Sequence, residues 1–248
     1  MDLNIMDNVE SAKKLIGLLD LTTLNDNDTN ETVANICQKA TGKYGNTASV
    51  CIYPKFISHA KSILPDNFKV ATVVNFPDGI ANNTLLEKEI ITAISSGADE
   101  LDVVLPYKSF LAGDIDFCKE YLDIARETCQ KKVLKIIIET GELKDVLAIK
   151  KATQLCIDAK ADFVKTSTGK TPVSATPEAA NAILETIAQS GKHVGFKASG
   201  GIKTLYDAKA YLTLAQSIMG NDWVSPSTFR IGASSLLNDL IKTIEQGY

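Results

Sequence analysis

Short runs rich in valine and isoleucine, such as Val70-Ala71-Thr72-Val73-Val74, alternate along the chain with longer stretches in which apolar residues recur every three or four positions. The first spacing suits a buried strand and the second a helix with one apolar face. Followed through the chain, the pattern predicts strands over residues 15–20, 48–52, 70–75, 100–105, 133–139, 162–166, 193–197 and 228–231. Helices are predicted between and after them, over 31–44, 55–64, 85–96, 116–129, 144–159, 177–189, 205–219 and 236–244. The punctuation agrees: Thr176 precedes Pro177, which puts proline at a first helical position, and Gly97, Gly191 and Gly220 stand just past helical runs.

Eight strand-and-helix units in 248 residues predict a TIM (β/α)8 barrel, with residues 1–248 as a single domain. An open doubly wound sheet is the alternative, but the GxGxxG that usually follows its first strand is missing. No Pro/Gly/Ser-rich linker or block of charge divides the chain.

A net charge of −4 with scattered lysines argues against a nucleic-acid partner. There is no apolar run of the ~18 residues that a membrane span needs. The start, Met1-Asp2-Leu3-Asn4-Ile5-Met6-Asp7, has neither the basic nor the apolar region of a secretory signal. Five cysteines without CxxC spacing fit neither a disulfide framework nor a zinc site, so a cytoplasmic protein is expected.

In a barrel the C-terminal strand ends form the active face. The polar residues at those ends are Asp20, Cys51, Asn75, Asp102, Glu139, Lys165, Lys197 and, after the last strand, Ser234 and Ser235. The two lysines close short runs of apolar and small residues, Phe163-Val164-Lys165 and Gly195-Phe196-Lys197. A lone strand-end lysine is ordinarily a solvated terminus; two on strands ~4.8 Å apart, both pointing inward, would each disfavour the other's charge. An unperturbed lysine is neutral in about one copy in 2,500 at pH 7, and a pKa lowered by ~3 units raises that to roughly a third. Burial beside a second cation therefore yields an amine fit for Schiff-base chemistry. Strand parity also pairs Lys197 with Gly195, which predicts free space beneath that ammonium.

Asp102 is placed to move protons between intermediates, and Asp20 to orient a lysine or a hydroxyl. Loop anchoring is the alternative for both. Glu139 reads as a structural ion pair or supporting contact, Glu100 as a floor residue paired with a base, and Cys51 as a small apolar residue or a substrate contact. After the seventh and eighth strands come Gly200-Gly201 and Gly232-Ala233-Ser234-Ser235, where barrels of this type often bind phosphate on backbone N–H groups and a helix N-terminus. Gly169, Lys170 and Lys203 would add donors and charge. His59 and His193 are too far apart in the pattern to form a ligand cluster, so no metal is expected. The implied cofactor is none beyond the lysine itself.

At Leu19-Asp20-Leu21-Thr22-Thr23-Leu24, Val50-Cys51-Ile52-Tyr53-Pro54, Glu100-Leu101-Asp102-Val103-Val104, Phe163-Val164-Lys165-Thr166-Ser167-Thr168-Gly169, Gly195-Phe196-Lys197 with Gly200-Gly201, and Gly232-Ala233-Ser234-Ser235, the chain resembles the deoxyribose-phosphate aldolases, a class I aldolase family. The resemblance implies reversible cleavage of 2-deoxy-D-ribose 5-phosphate to acetaldehyde and D-glyceraldehyde 3-phosphate in deoxyribose catabolism. By it, Lys165 matches the Schiff-base lysine, Lys197 the lysine that perturbs it, and Asp102 the proton-relay carboxylate. Asp20, Thr22, Leu24, Cys51 and Thr168 match pocket positions. Gly169, Lys170, Gly200, Gly201, Ile202, Lys203, Gly232, Ser234 and Ser235 match the phosphate end. It also implies a small-molecule phosphosugar as partner and a homodimer or monomer. Terminal Tyr248 stands where longer members have a tyrosine implicated in proton transfer, and Lys203 where some relatives have arginine, which would contact phosphate bidentately. Another class I phosphosugar aldolase, a transaldolase and a noncatalytic phosphosugar-binding barrel stay open as alternatives.

Overall fold

Apolar runs interrupted at alternate positions by polar residues build the barrel strands. Leu101 and Val103 of one strand pack into the layer between sheet and helices, while Glu100 and Asp102 on the opposite parity form ion pairs in the lumen. The computed structural model describes residues 7–247, so Tyr248 lies outside the described residues. Eight parallel strands close on themselves: β1 (Leu19–Thr22), β2 (Ser49–Ile52), β3 (Val70–Val74), β4 (Glu100–Val104), β5 (Val133–Ile137), β6 (Phe163–Lys165), β7 (Gly195–Ser199) and β8 (Phe229–Ala233). Each pairs with its neighbours in chain order, and β8 returns to pair with β1, which is the predicted (β/α)8 barrel.

The surrounding helices start where the sequence supplies a cap. Thr176 accepts from Ala179 N–H ahead of Pro177–Ser190, and Thr204 with Asp207 forms a capping box ahead of Leu205–Met219. Their apolar faces and the outward strand residues share one core, from Leu15 and Ile16 to Leu240.

Three departures from the pattern have identifiable causes. The strand predicted from residue 15 begins at Leu19, because Ala12, Leu15 and Ile16 form the buried stripe of a helix, Asn8–Gly17, whose apolar run continues unbroken into the strand. β7 and β8 run on to Ser199 and Ala233, since Ala198, Ser199 and Gly232 belong to the ladder and not to the turns. The helix predicted over 31–44 stops at Ala40, where a two-residue hairpin, Thr41–Gly42 with Gly45–Asn46, takes over.

Candidate active site

Register sets the lumen. Asp102 pairs with Lys135, Lys165 with Lys197, and Lys197 with Arg230 on the far side. The three lysines converge on Asp102, where Oδ1 accepts from Lys135 Nζ at 2.9 Å and Oδ2 accepts from both Lys165 and Lys197 at 2.7 Å.

From this hub the pairs continue into a closed ring. Lys135 Nζ lies 2.5 Å from Glu100, whose other oxygen accepts from Arg230 at 3.1 Å. Arg230 also donates to Asp20, and Asp20 Oδ2 lies 2.5 Å from Lys197, which returns to Asp102. Carboxylate and cation thus alternate through Asp102, Lys135, Glu100, Arg230, Asp20 and Lys197, three of each sign. Lys165 is a fourth cation attached to a ring that is already balanced.

That imbalance orders the lysines. Burial lowers the Lys165 pKa, the Asp102 carboxylate opposes the fall, Lys197 deepens it, and the net result is a lowered value. For Lys197 burial also acts downward, but Asp102 and Asp20 together outweigh it and its value is raised. Lys135 is raised in the same way by Asp102, Glu100 and Asp20. Burial would raise the Asp102 carboxyl, yet three ammoniums hold it well below the ordinary carboxylate range. The fully enclosed Lys135 and Lys197 contrast with Lys165, which keeps 3% of its surface open to the pocket above.

The space predicted beneath Lys197 is filled. A Cβ at Gly195 would lie 2.5 Å from the Phe163 ring, so the glycine makes room for that ring. The Arg230 guanidinium stands over the same ring, 5.6 Å from its centroid. On the β2 and β3 side the inner wall is apolar, with Leu24, Cys51, Ala71 and Val73 packed against Tyr53 and Phe76.

Above Lys165 opens a cavity of about 220 Å³. Thr22, Leu24, Thr168, Gly169, Lys170, Gly200, Gly201, Ile202, Lys203, Gly232, Ser234 and Ser235, the expected pocket and phosphate-end positions, all line it. Asp20 and Cys51 do not. Asp20 is buried in the ring, where it also accepts from the Ser49 hydroxyl at 2.8 Å, so it orients Lys197 and does not reach the pocket. Cys51 sits fully buried in the apolar wall, and burial raises its thiol pKa. Thr23, Asn25, Ser199 and Ala233 join the lining without having been anticipated.

Each residue after Lys165 has a structural task. Thr166 Oγ1 accepts from Ser199 N–H at 3.0 Å, and Ser199 Oγ donates to the Ser167 carbonyl at 2.5 Å, tying the loop to β7. Thr168 donates its N–H and, at 2.5 Å, its hydroxyl to the buried Glu139 carboxylate, which also accepts from Thr171. Glu139 therefore supports the loop by hydrogen bonds. Lys170 Nζ reaches across the mouth to the Leu24 carbonyl at 2.6 Å. Gly200 has φ +87°, and a Cβ there would strike Ser174 at 2.5 Å, so only glycine lets these loops meet. Beyond Ser235, itself in the cavity wall, the helix Leu236–Gln246 begins without a side-chain cap.

Lys135 and Arg230 are the participants that strand-end reasoning misses. Both lie inside apolar strands, Val133-Leu134-Lys135-Ile136-Ile137 and Phe229-Arg230-Ile231, on the lumen parity. A charge in the middle of a strand that is buried on both faces is the signal that would have found them. Among the described residues no group of His, Cys, Asp and Glu could hold a metal ion, and no helix is long and apolar enough to cross a membrane.

The comparisons with known proteins agree with this geometry. A family model described as DeoC/LacD family aldolase matches residues 14–242. Among solved structures, the aldolase QR15 is 30% identical with a TM-score of 0.80, covering 92% of this chain and 96% of that one. A Toxoplasma gondii ME49 protein provisionally named deoxyribose-phosphate aldolase is 22% identical with a TM-score of 0.86, covering 96% of this chain and 95% of that one. The deoxyribose phosphate aldolase of Aeropyrum pernix, described as tetrameric, is 24% identical with a TM-score of 0.69, covering 98% of both chains. With the family matched along nearly its whole length, the chain belongs to the DeoC/LacD aldolases and is a class I aldolase, a carbon–carbon lyase.

Proposed function

We propose that the protein reversibly cleaves 2-deoxy-D-ribose 5-phosphate to acetaldehyde and D-glyceraldehyde 3-phosphate through an imine on Lys165. The observation that carries this reading is the lone cation beyond a balanced ring, Lys165, at the base of a cavity whose opposite end is ringed by Gly200, Gly201, Gly232 and Ser235. The glycine end takes the phosphate on backbone N–H groups, the open helix terminus and the Lys203 ammonium. Its position directs the other end of a short sugar at the amine.

Neutral Lys165 attacks the aldehyde carbon of the ring-opened sugar, and loss of water gives the imine. The protonated imine accepts the electrons of the C2–C3 bond as the C3 hydroxyl loses its proton. Glyceraldehyde 3-phosphate leaves and an enamine remains. Protonation at C2 and hydrolysis then release acetaldehyde and restore the lysine. Asp102 is too strongly acidified to store a proton, so Lys197 carries it and Asp102 passes it between Lys197 and the intermediate.

A coupled assay for glyceraldehyde 3-phosphate release from deoxyribose 5-phosphate, with borohydride trapping of the substrate adduct, tests the reading. Turnover and a mass increment confined to Lys165 are expected, and both disappear in Lys165→Ala. An inactive wild-type protein or an adduct on another lysine refutes it.

A further inference from the structure

Glu100 and Arg230 close the ion-pair ring at the barrel floor, and neither lines the cavity. Nothing in the chemistry above uses them directly, yet the ring is balanced only because both are present. Without Arg230 the ring would hold three carboxylates against two cations, and without Glu100 the excess would reverse.

We propose that Glu100 and Arg230 are positioning residues that keep the lumen ring electrically balanced and so set the pH at which the Lys165 amine becomes nucleophilic. The inference rests on the assignment of Lys165 as the reacting lysine. The charged and titratable groups around that amine come from every neighbouring element. They are Asp102 on β4, Lys197 on β7, Cys51 on β2 and Glu139 just after β5, with Lys135 on β5 and Asp20 on β1 acting through Asp102, and Lys170 and Lys203 in the loops that line the same cavity. Asp102 is the only one paired directly with Lys165, and its own field is shared with Lys135 and Lys197. Glu100 and Arg230 act at one remove. Glu100 engages Lys135, the partner of Asp102, and Arg230 engages Asp20, the partner of Lys197.

Opposite signs follow for the two residues. Removing the Arg230 cation leaves the ring net negative, favours the protonated amine and moves the appearance of the neutral amine to higher pH. Removing the Glu100 charge leaves the ring net positive and moves it to lower pH. A displacement of about one pH unit each way is the size expected from a unit charge on the order of 10 Å away at an effective dielectric of about 20. A purely structural contribution would lower the rate in both variants without separating their pH profiles.

The test is site-specific reductive ethylation of the intact protein with acetaldehyde and cyanoborohydride from pH 5 to pH 10, read by peptide mass spectrometry. The amine and acetaldehyde lose water to form the imine, and hydride from the reagent reduces it to N-ethyl-lysine. Wild type, Glu100→Gln, Arg230→Gln and the double variant are compared. The expected result is a midpoint at Lys165 displaced downward in Glu100→Gln, upward in Arg230→Gln and unchanged in the double variant, where one charge of each sign is gone. Midpoints that coincide or move in the same direction overturn the proposal. Should one single variant fail to fold by circular dichroism, the other decides by the sign of its displacement: a midpoint that coincides with wild type or moves against the predicted direction overturns the proposal. A wild-type protein whose fastest-reacting lysine is not Lys165 would instead refute the assignment of Lys165 as the reacting lysine, so the two failures are distinct.

Discussion

Lys165 and Lys197 occupy paired positions in adjacent strands and share one carboxylate oxygen, yet their proton affinities diverge. The difference is one partner: Lys197 also touches Asp20, and among the described residues Lys165 has no second carboxylate within ion-pair distance. Deprotonation of Lys165 should therefore shape the acid limb of activity. kcat/KM should rise with pH through a midpoint below the ordinary lysine value, measured with the coupled assay. Asp102→Asn should be the most damaging conservative change in the lumen. It leaves two raised lysines without their shared counter-charge, and about 3–5 kcal/mol of stability should be lost in denaturant titrations along with imine formation. That Lys165 and Lys197 meet in the lumen was readable from sequence because both lysines close runs of small and apolar residues at the end where barrels do chemistry. Lys135 and Arg230 were not, because a strand-end rule overlooks a charge in a strand's interior even when parity aims it at the same lumen.

The loop after β6 is held by the loop and strand on either side of it. Ser199 binds its first turn and Glu139 its second, so the shape of the Thr168–Lys170 segment depends on neighbouring strands. Glu139→Gln keeps the size of the side chain but offers one acceptor oxygen to the three donors now served. The Gly169 N–H and the Lys170 ammonium should lose their fixed position. KM for the phosphorylated sugar should rise about tenfold, about 1.4 kcal/mol of binding, with kcat little changed. Unphosphorylated deoxyribose should be turned over as in wild type, and steady-state kinetics on both sugars checks the contrast. Element boundaries followed the same logic of legibility. Helix starts marked by Thr176 and Thr204 could be read locally, whereas the split of Leu15–Leu19 between helix and strand depends on which side each residue packs, which is a tertiary fact.

For the molecule as a whole, the ring links stability to pH at both ends. Asp20 and Asp102 have depressed values in the folded state, so their contribution is complete above the unfolded carboxylate value of about 3.9 and fades as pH falls through the folded ones. Lys135 and Lys197 are raised, so theirs is complete below about 10.4 and fades as pH rises through the folded values. Lys165 works in the opposite sense. Between its lowered value and about 10.4 the unfolded chain binds its proton more tightly, and stability increases with pH across that window. Replacing it should relieve a cost built into the site. Lys165→Met is expected to lose activity by about 10³-fold or more while its midpoint of thermal unfolding rises by about 2–4 °C, corresponding to about 1 kcal/mol. An unchanged or lower midpoint in calorimetry would contradict this.

Asp20 and Arg230 stand 210 positions apart and meet only across the seam where β8 joins β1. Their pairing means that the charge balance of the lumen in which Lys165 is buried depends on contact between residues near the two ends of the chain. An open sheet containing every other strand would carry ordinary, charged lysines. Reactivity toward aldehydes is in this sense a property of closure, and its recovery during refolding should lag behind the return of helix and report that the circle is complete.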